Sequence, residues 1–160
     1  MPHSKFAYPI LSYDVYDGDT VKAVIDQGWV TTKGFSIRVD GIDTPEVRTR
    51  NKLHKAAGLC AKALVAHWMS DQVDLMFAST SRDKYAGRAV GQIYSFNDPD
   101  ATLSRWLLVQ GDVVKPYKGK RKLPWSDAEL KRCIETCRKI IPVAVNGILG
   151  GVPELALNAS

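Results

Sequence analysis

The sequence predicts an α+β fold in which five strands curl into a small barrel and three helices pack on it. Three observations predict it. Apolar residues recur with a period of two in five short runs, the pattern of half-buried strands. A long run that is apolar on nearly every side follows the third of these and reads as a buried helix. Two later segments carry helix start and stop signals of their own.

Residues 6–25 read as two strands joined at Asp17-Gly18-Asp19, since Val21, Ala23 and Ile25 alternate and Asp-Gly is a strong hairpin signal. After a loop containing Gly28 and Gly34, Phe35, Ile37 and Val39 alternate with Ser36, Arg38 and Asp40. A strand here buries the first set and turns Arg38 outward. The buried helix runs from Ala56 to Met69, interrupted only by Lys62 and His67. Val73–Phe77 and Ala89–Tyr94 are the fourth and fifth strands, separated by a loop dense in cations, Arg82 to Arg88.

Asp98-Pro99 opens a short helix whose Leu103, Trp106, Leu107 and Gln110 share a face, and Gly111 ends it. Ser126 and Glu129 form a capping box for a third helix that reaches about Ile140 and is stopped by Pro142. Residues 1–142 thus read as one domain. Residues 143–160 show no sustained period and are expected to be a weakly ordered tail or one used in a contact. Five strands and three helices, with one helix inserted after the third strand, is the count of an oligonucleotide-binding (OB) type barrel.

With 160 residues the chain can bury a core without staples, and 22 Lys plus Arg against 17 Asp plus Glu, a net charge of +5, favours an anionic partner such as nucleic acid. Three cysteines give no disulfide framework, and Cys133 and Cys137, one turn apart, read as reduced thiols sharing a buried face. His67 has no second histidine or cysteine at ligand spacing and reads as a helix-end residue. No apolar run has the length of a membrane span, and Met1 to Lys5 do not begin a signal peptide. These features predict a cytoplasmic protein, or an extracellular one if a leader has been removed.

The chemistry is concentrated in Arg38-Val39-Asp40-Gly41-Ile42-Asp43-Thr44-Pro45-Glu46. Pro45 holds Thr44 extended, which leaves its carbonyl available between Asp43 and Glu46. Hard oxygen ligands this close together, beside an arginine, suit a divalent cation and a phosphate better than a packed core. Asp17-Gly18-Asp19 taken alone is a turn. Lys115 to Lys122 holds five basic residues in eight, with Tyr117 among them and Trp125 just beyond, and reads equally well as a solvated loop or a phosphate contact.

Asp17-Gly18-Asp19-Thr20, then Arg38 to Glu46, then Asp83-Lys84-Tyr85-Ala86-Gly87-Arg88 together resemble, in order and separation, the three signatures of the staphylococcal nuclease (thermonuclease) family. The resemblance spans about Tyr13 to Lys139 and implies a nuclease domain that hydrolyses DNA and RNA phosphodiesters with calcium, magnesium or another divalent ion being the alternative. It implies that Asp19, Asp43 and the Thr44 carbonyl hold the ion and that Glu46 positions or deprotonates the attacking water. Arg38 and Arg88 would grip the phosphate, while Lys84, Tyr85 and Tyr117 would contact the nucleotide. Arg38 and Glu46 are both expected to face solvent. Two carboxylates and a carbonyl imply weak calcium affinity, towards ~0.1–1 mM.

The chain departs from the family pattern at three places. Ala86 is an extra residue in the third signature, Cys60 stands two positions after Gly58 where a glutamate is frequent, and Gly119 stands where a second tyrosine is expected after Tyr117. A rival reading is a catalytically inactive OB-type nucleic-acid-binding module whose basic loops and Tyr117 track the backbone. A structural cation-binding domain is a third. The acids Asp19, Asp43 and Glu46 beside two arginines argue against both, since a pure binder has no use for carboxylates facing a phosphate.

Overall fold

The computed structural model describes residues 6–82 and 87–156. In chain order the elements are β1 (Ala7–Asp17), β2 (Thr20–Asp26), β3 (Thr32–Val39), β4 (Ile42–Asp43), α1 (Lys52–Asp71), β5 (Leu75–Arg82) and β6 (Arg88–Ser95). They continue with α2 (Leu103–Gln110), β7 (Lys115–Pro116), α3 (Asp127–Ile140), α4 (Pro142–Gly150) and α5 (Pro153–Ala156). Five strands close into a barrel in the order β1-β2-β3-β6-β5, so the α+β class and the five-stranded barrel are as expected. All pairings in it are antiparallel except β3 with β6, which is parallel and needs the long crossover through α1 and β5.

Side-chain parity fixes what the barrel wall buries. Val21 pairs with Val15 on one side and Ile37 on the other, and all three lie in the core. One step along, Thr20, Arg38 and Val90 stand abreast on the outer face of β2, β3 and β6. Gly91 has no side chain because a Cβ there would strike Ala78 O and the ring of Phe77, a fully buried side chain that packs on Phe35 at 5.4 Å between ring centroids.

Helix α1 is longer than the sequence suggests because Asn51 caps it, accepting the His54 N–H at 2.9 Å. It buries Ala57, Cys60, Ala61, Leu64 and Val65 completely. Cys60, Cys133 and Cys137 are free thiols within this core, and burial pushes Cys60 up to about 12. His67 is exposed at the helix end, 3.8 Å from Asp71, as expected of a helix-end residue.

The structure corrects three expectations. Asp98-Pro99 forms a turn after β6, and α2 is capped by Thr102, whose Oγ1 accepts the Arg105 N–H. Residues 142–156 form two helices, where residues 143–160 were expected to be a weakly ordered tail or one used in a contact, which brings the helices to five among the described residues. Pro142 ends α3, yet a residue without an N–H also suits the first position of a helix, and Val145 and Leu149, four apart, bury one face of α4. Lys52 ties α5 to α1 through Glu154 at 2.7 Å. The third is the pair of two-residue strands β4 and β7, which form a separate small sheet. No helix of the described residues is long and apolar enough to cross a membrane.

Gly58 connects this packing to the chemistry. A Cβ at this position would lie 2.7 Å from the carbonyl carbon and oxygen of Glu46 and 2.9 Å from Pro45 O, so α1 lies directly against the backbone that carries Glu46. Gly58→Ala is expected to destabilise the fold by about 1–3 kcal/mol through overpacking, despite alanine's better helix propensity. A urea midpoint at or above the parental value would show that the Glu46 segment is not pressed on α1.

Candidate active site

A cleft of about 650 Å³ opens on the outer wall of the barrel where β2, β3 and β6 end near the segment that follows β7. Asp19, Arg38, Glu46, Arg88, Tyr117 and Lys122 are among its lining residues. Asp43 and Thr44 are buried in the same corner, at 4% and 3% exposure. Seven of the nine residues singled out from the sequence therefore lie in or against one cleft. The other two, Lys84 and Tyr85, lie outside the described residues.

Arg38 points outward from the barrel, as its parity requires, but it does not face solvent: it is 7% exposed. The β1–β2 turn, Asp43 and the segment after β7 close over it. Its Nη2 stands 3.4 Å from Asp19 Oδ2 and 3.9 Å from Asp43 Oδ1, and the Tyr117 ring covers the guanidinium at 5.2 Å. Nη1 donates to Val39 O at 3.0 Å. Tyr117 O–H donates to Lys120 O at 3.0 Å, which fixes the ring over the arginine. Glu46, in contrast, is exposed, as expected.

The acids are held by short contacts, most of them from residues distant in the chain. Asp19 Oδ1 accepts the Thr20 hydroxyl at 3.0 Å and Oδ2 accepts the Thr44 N–H at 3.2 Å. Gly18 allows this approach, since a Cβ there would meet the Thr44 side chain at 2.8 Å. Asp43 Oδ2 accepts the Trp125 indole N–H at 3.3 Å. Asp40 also lines the cleft, with Oδ2 accepting the Thr80 hydroxyl at 2.9 Å. Burial and then the neighbouring Asp19 carboxylate push Asp17 up to about 7.

Two atoms remain without an aligned hydrogen-bond partner although both are shut from solvent: Arg38 Nη2 and Asp43 Oδ1. Lys122 Nζ faces that oxygen at 3.0 Å, so its charge is compensated, but off the direction a hydrogen bond requires. The same ammonium donates to Glu46 Oε1 at 3.0 Å. Burial draws the Lys122 pKa down, and the close contacts with the Asp43 and Glu46 carboxylates outweigh it, leaving the pKa above the usual lysine value.

A donor set of hard carboxylate oxygens, one of them unsatisfied, fits a divalent cation of the calcium or magnesium type. Asp19 and Asp43 are the residues that would hold it, and Thr44 is fixed beside them through its N–H. No group of three or more His, Cys, Asp or Glu arranged to hold a metal is found among the described residues, so an ion here would take much of its coordination from water.

Lys122, Trp125 and Asp17 are the residues that sequence reasoning did not assign to the site. Their signals were present as a basic run, a tryptophan just beyond it and a turn aspartate, but their target lay up to 82 positions away in the chain. The pairing of β4 with β7 brings Lys122 and Trp125 in, reinforced by Tyr117 N–H donating to Gly41 O at 2.9 Å, whereas Asp17 arrives with the β1–β2 turn. Lys115 Nζ then anchors the far end, bonding Pro124 O at 2.8 Å and Glu129 Oε2 at 2.9 Å and standing 4.7 Å from the Trp125 ring centroid.

Arg38 offsets two buried carboxylates, so Arg38→Ala is expected to cost about 3–5 kcal/mol of stability. Glu46→Ala, at the exposed rim, should stay within about 0.5 kcal/mol. Equal losses from the two variants in urea denaturation would contradict this division. The Lys115 ammonium and the Ser126 N–H hold Glu129 down from 4.5 to about 2. A depressed carboxylate contributes stability above its unfolded value and loses it as the pH falls through the folded one. Glu129→Gln should therefore melt below the parent above pH 4.5, with the gap closing between pH 4.5 and 2; a gap independent of pH would rule out this pairing as its source.

No protein-family model matches the chain, and comparison with curated proteins gives no match.

Proposed function

We propose that the chain is a divalent-cation dependent nuclease, with calcium as the expected ion, that hydrolyses phosphodiester bonds of DNA and RNA on an OB-type barrel like that of the staphylococcal nuclease family. The observation that carries this reading is the pair of unsatisfied groups in one cleft. Arg38 Nη2 and Asp43 Oδ1 are both shut from solvent without an aligned hydrogen-bond partner, the first facing Asp19 Oδ2 at 3.4 Å and the second Lys122 Nζ at 3.0 Å. A phosphate oxygen aligned on Nη2 and a divalent ion on Oδ1 would complete both.

A phosphodiester repels hydroxide, so the site must offset its charge before attack. Arg38 is held by Val39 O, Asp19 and the Tyr117 ring, and Arg88 lines the same cleft from the first residue of β6. Two guanidinium groups on the barrel wall can bind phosphate oxygens in fixed directions and stay charged at any working pH. A divalent ion bound at Asp19 and Asp43 would supply further positive charge against the phosphate. Glu46 is the exposed carboxylate of the cleft, able to accept a proton from a water aligned beside the phosphate.

The rival reading, a binding module without catalysis, draws on one observation: Lys122 already engages both Asp43 and Glu46. The two readings separate in one assay. Purified protein incubated with plasmid DNA and with RNA should cleave both in calcium and neither in chelator, whereas a binding module would shift the nucleic acid on a gel and leave it intact. Glu46→Ala and Arg88→Ala should each lose at least about a hundredfold in rate, near 3 kcal/mol of barrier. Arg38→Lys, which keeps the buried charge, should lose a comparable factor because an ammonium cannot offer two parallel donors. Parental cleavage by folded Glu46→Ala would remove the assigned base.

A further inference from the structure

We propose that Lys122 is the chain's own counter-cation at this site, competing with the divalent ion for Asp43 and Glu46 and thereby setting the affinity for that ion. This rests on the cation-binding reading given above. Three of the four carboxylate oxygens of Asp19 and Asp43 are already committed. Asp19 Oδ1 is taken by Thr20 and Oδ2 by Thr44 N–H, and Asp43 Oδ2 is taken by Trp125. Asp43 Oδ1 is left without a hydrogen bond, and it is the oxygen that Lys122 Nζ faces at 3.0 Å.

A calcium ion coordinates oxygen at about 2.3–2.6 Å. An ion on Asp43 Oδ1 and an ammonium 3.0 Å from the same oxygen would sit within a few ångströms of each other, both positive and screened little by water in a buried corner. One of them must leave. Arg38 cannot, since it is packed under Tyr117 and bonded to Val39 O. Lys122 can, since its side chain is 45% exposed, on a flexible stem in the segment between β7 and α3. Because the same ammonium also holds Glu46 at 3.0 Å, its departure releases the carboxylate assigned to the water. Binding of the ion and release of Glu46 are then one event.

The rival roles for Lys122 predict something else. A phosphate contact, or an ordinary surface ion pair, would leave calcium affinity where it is when the charge is removed. The test is calorimetric titration of calcium chloride into the parent, Lys122→Met, Lys122→Gln, Lys122→Arg and Asp43→Asn, with circular dichroism to establish that each is folded. Lys122→Met and Lys122→Gln should bind calcium at least about tenfold more tightly than the parent. Lys122→Arg, which keeps the charge, should stay within about threefold. Parental or weaker binding by both neutral variants overturns the proposal while leaving the cation site standing, provided Asp43→Asn abolishes binding. Absence of calcium binding in all five proteins overturns the proposal and the cation-binding reading together.

Discussion

One guanidinium enclosed with two carboxylates, Arg38 with Asp19 and Asp43, is the constraint on which the rest of the site depends. Each is under a tenth exposed, and ions so placed lose their hydration and must be repaid by close geometry. The barrel supplies that geometry from three directions. Val39 N–H donates to Asp19 O at 2.9 Å, pinning the β1–β2 turn to the end of β3. Gly18 lets that turn press on Thr44, whose N–H fixes one oxygen of Asp19. Trp125 fixes one oxygen of Asp43 from across the cleft. A shift of any of the three would leave an ion with neither water nor partner, so the carboxylates and the arginine hold one arrangement.

The closure over Arg38 depends on a sheet of two residues per strand. β4 pairs Ile42 with Pro116 and Asp43 with Lys115, and from this pairing the chain carries Tyr117 over the guanidinium and Lys122 onto the acids. Proline at an edge strand position sacrifices no ladder donor that this short pairing needs. Lys115 then fastens the segment's end to the capping box of α3 through Glu129, so the helix that closes the core also tensions the segment that closes the cleft.

What the sequence made legible follows from the range of the interactions. The barrel strands were visible because inward residues such as Val21, Ala23, Ile25, Ile37 and Val39 repeat every two positions, and α1 because it is buried on most of its circumference. β4 and β7 are too short to carry a period, and α4 is apolar on several sides over only nine residues, so neither announced itself. The outward parity of Arg38 was readable from its strand. Its burial was not, because the ring that covers it belongs to Tyr117, on the far side of α1, β5, β6 and α2 in the chain. The same distance hid Lys122 and Trp125, whose residue types suggested contact with something charged without naming it.

The site therefore divides between parts with different freedom. Arg38, Asp19, Asp43 and Thr44 sit within the fold, and altering them alters stability and chemistry together. Glu46, Tyr117 and Lys122 stand on connecting segments, and Arg88 begins a strand beside the cleft. Their contacts can change while the barrel pairings stay in place. Under the proposed reading, the step that needs an exact charge arrangement is assigned to the rigid half, and the tuning of ion affinity to Lys122 on the soft half. The departure at Cys60 fits the same division. A buried thiol in α1 packs in the core beside Cys133 and Cys137, two residues after the glycine that seats Glu46, and it touches the chemistry only through the position of that backbone.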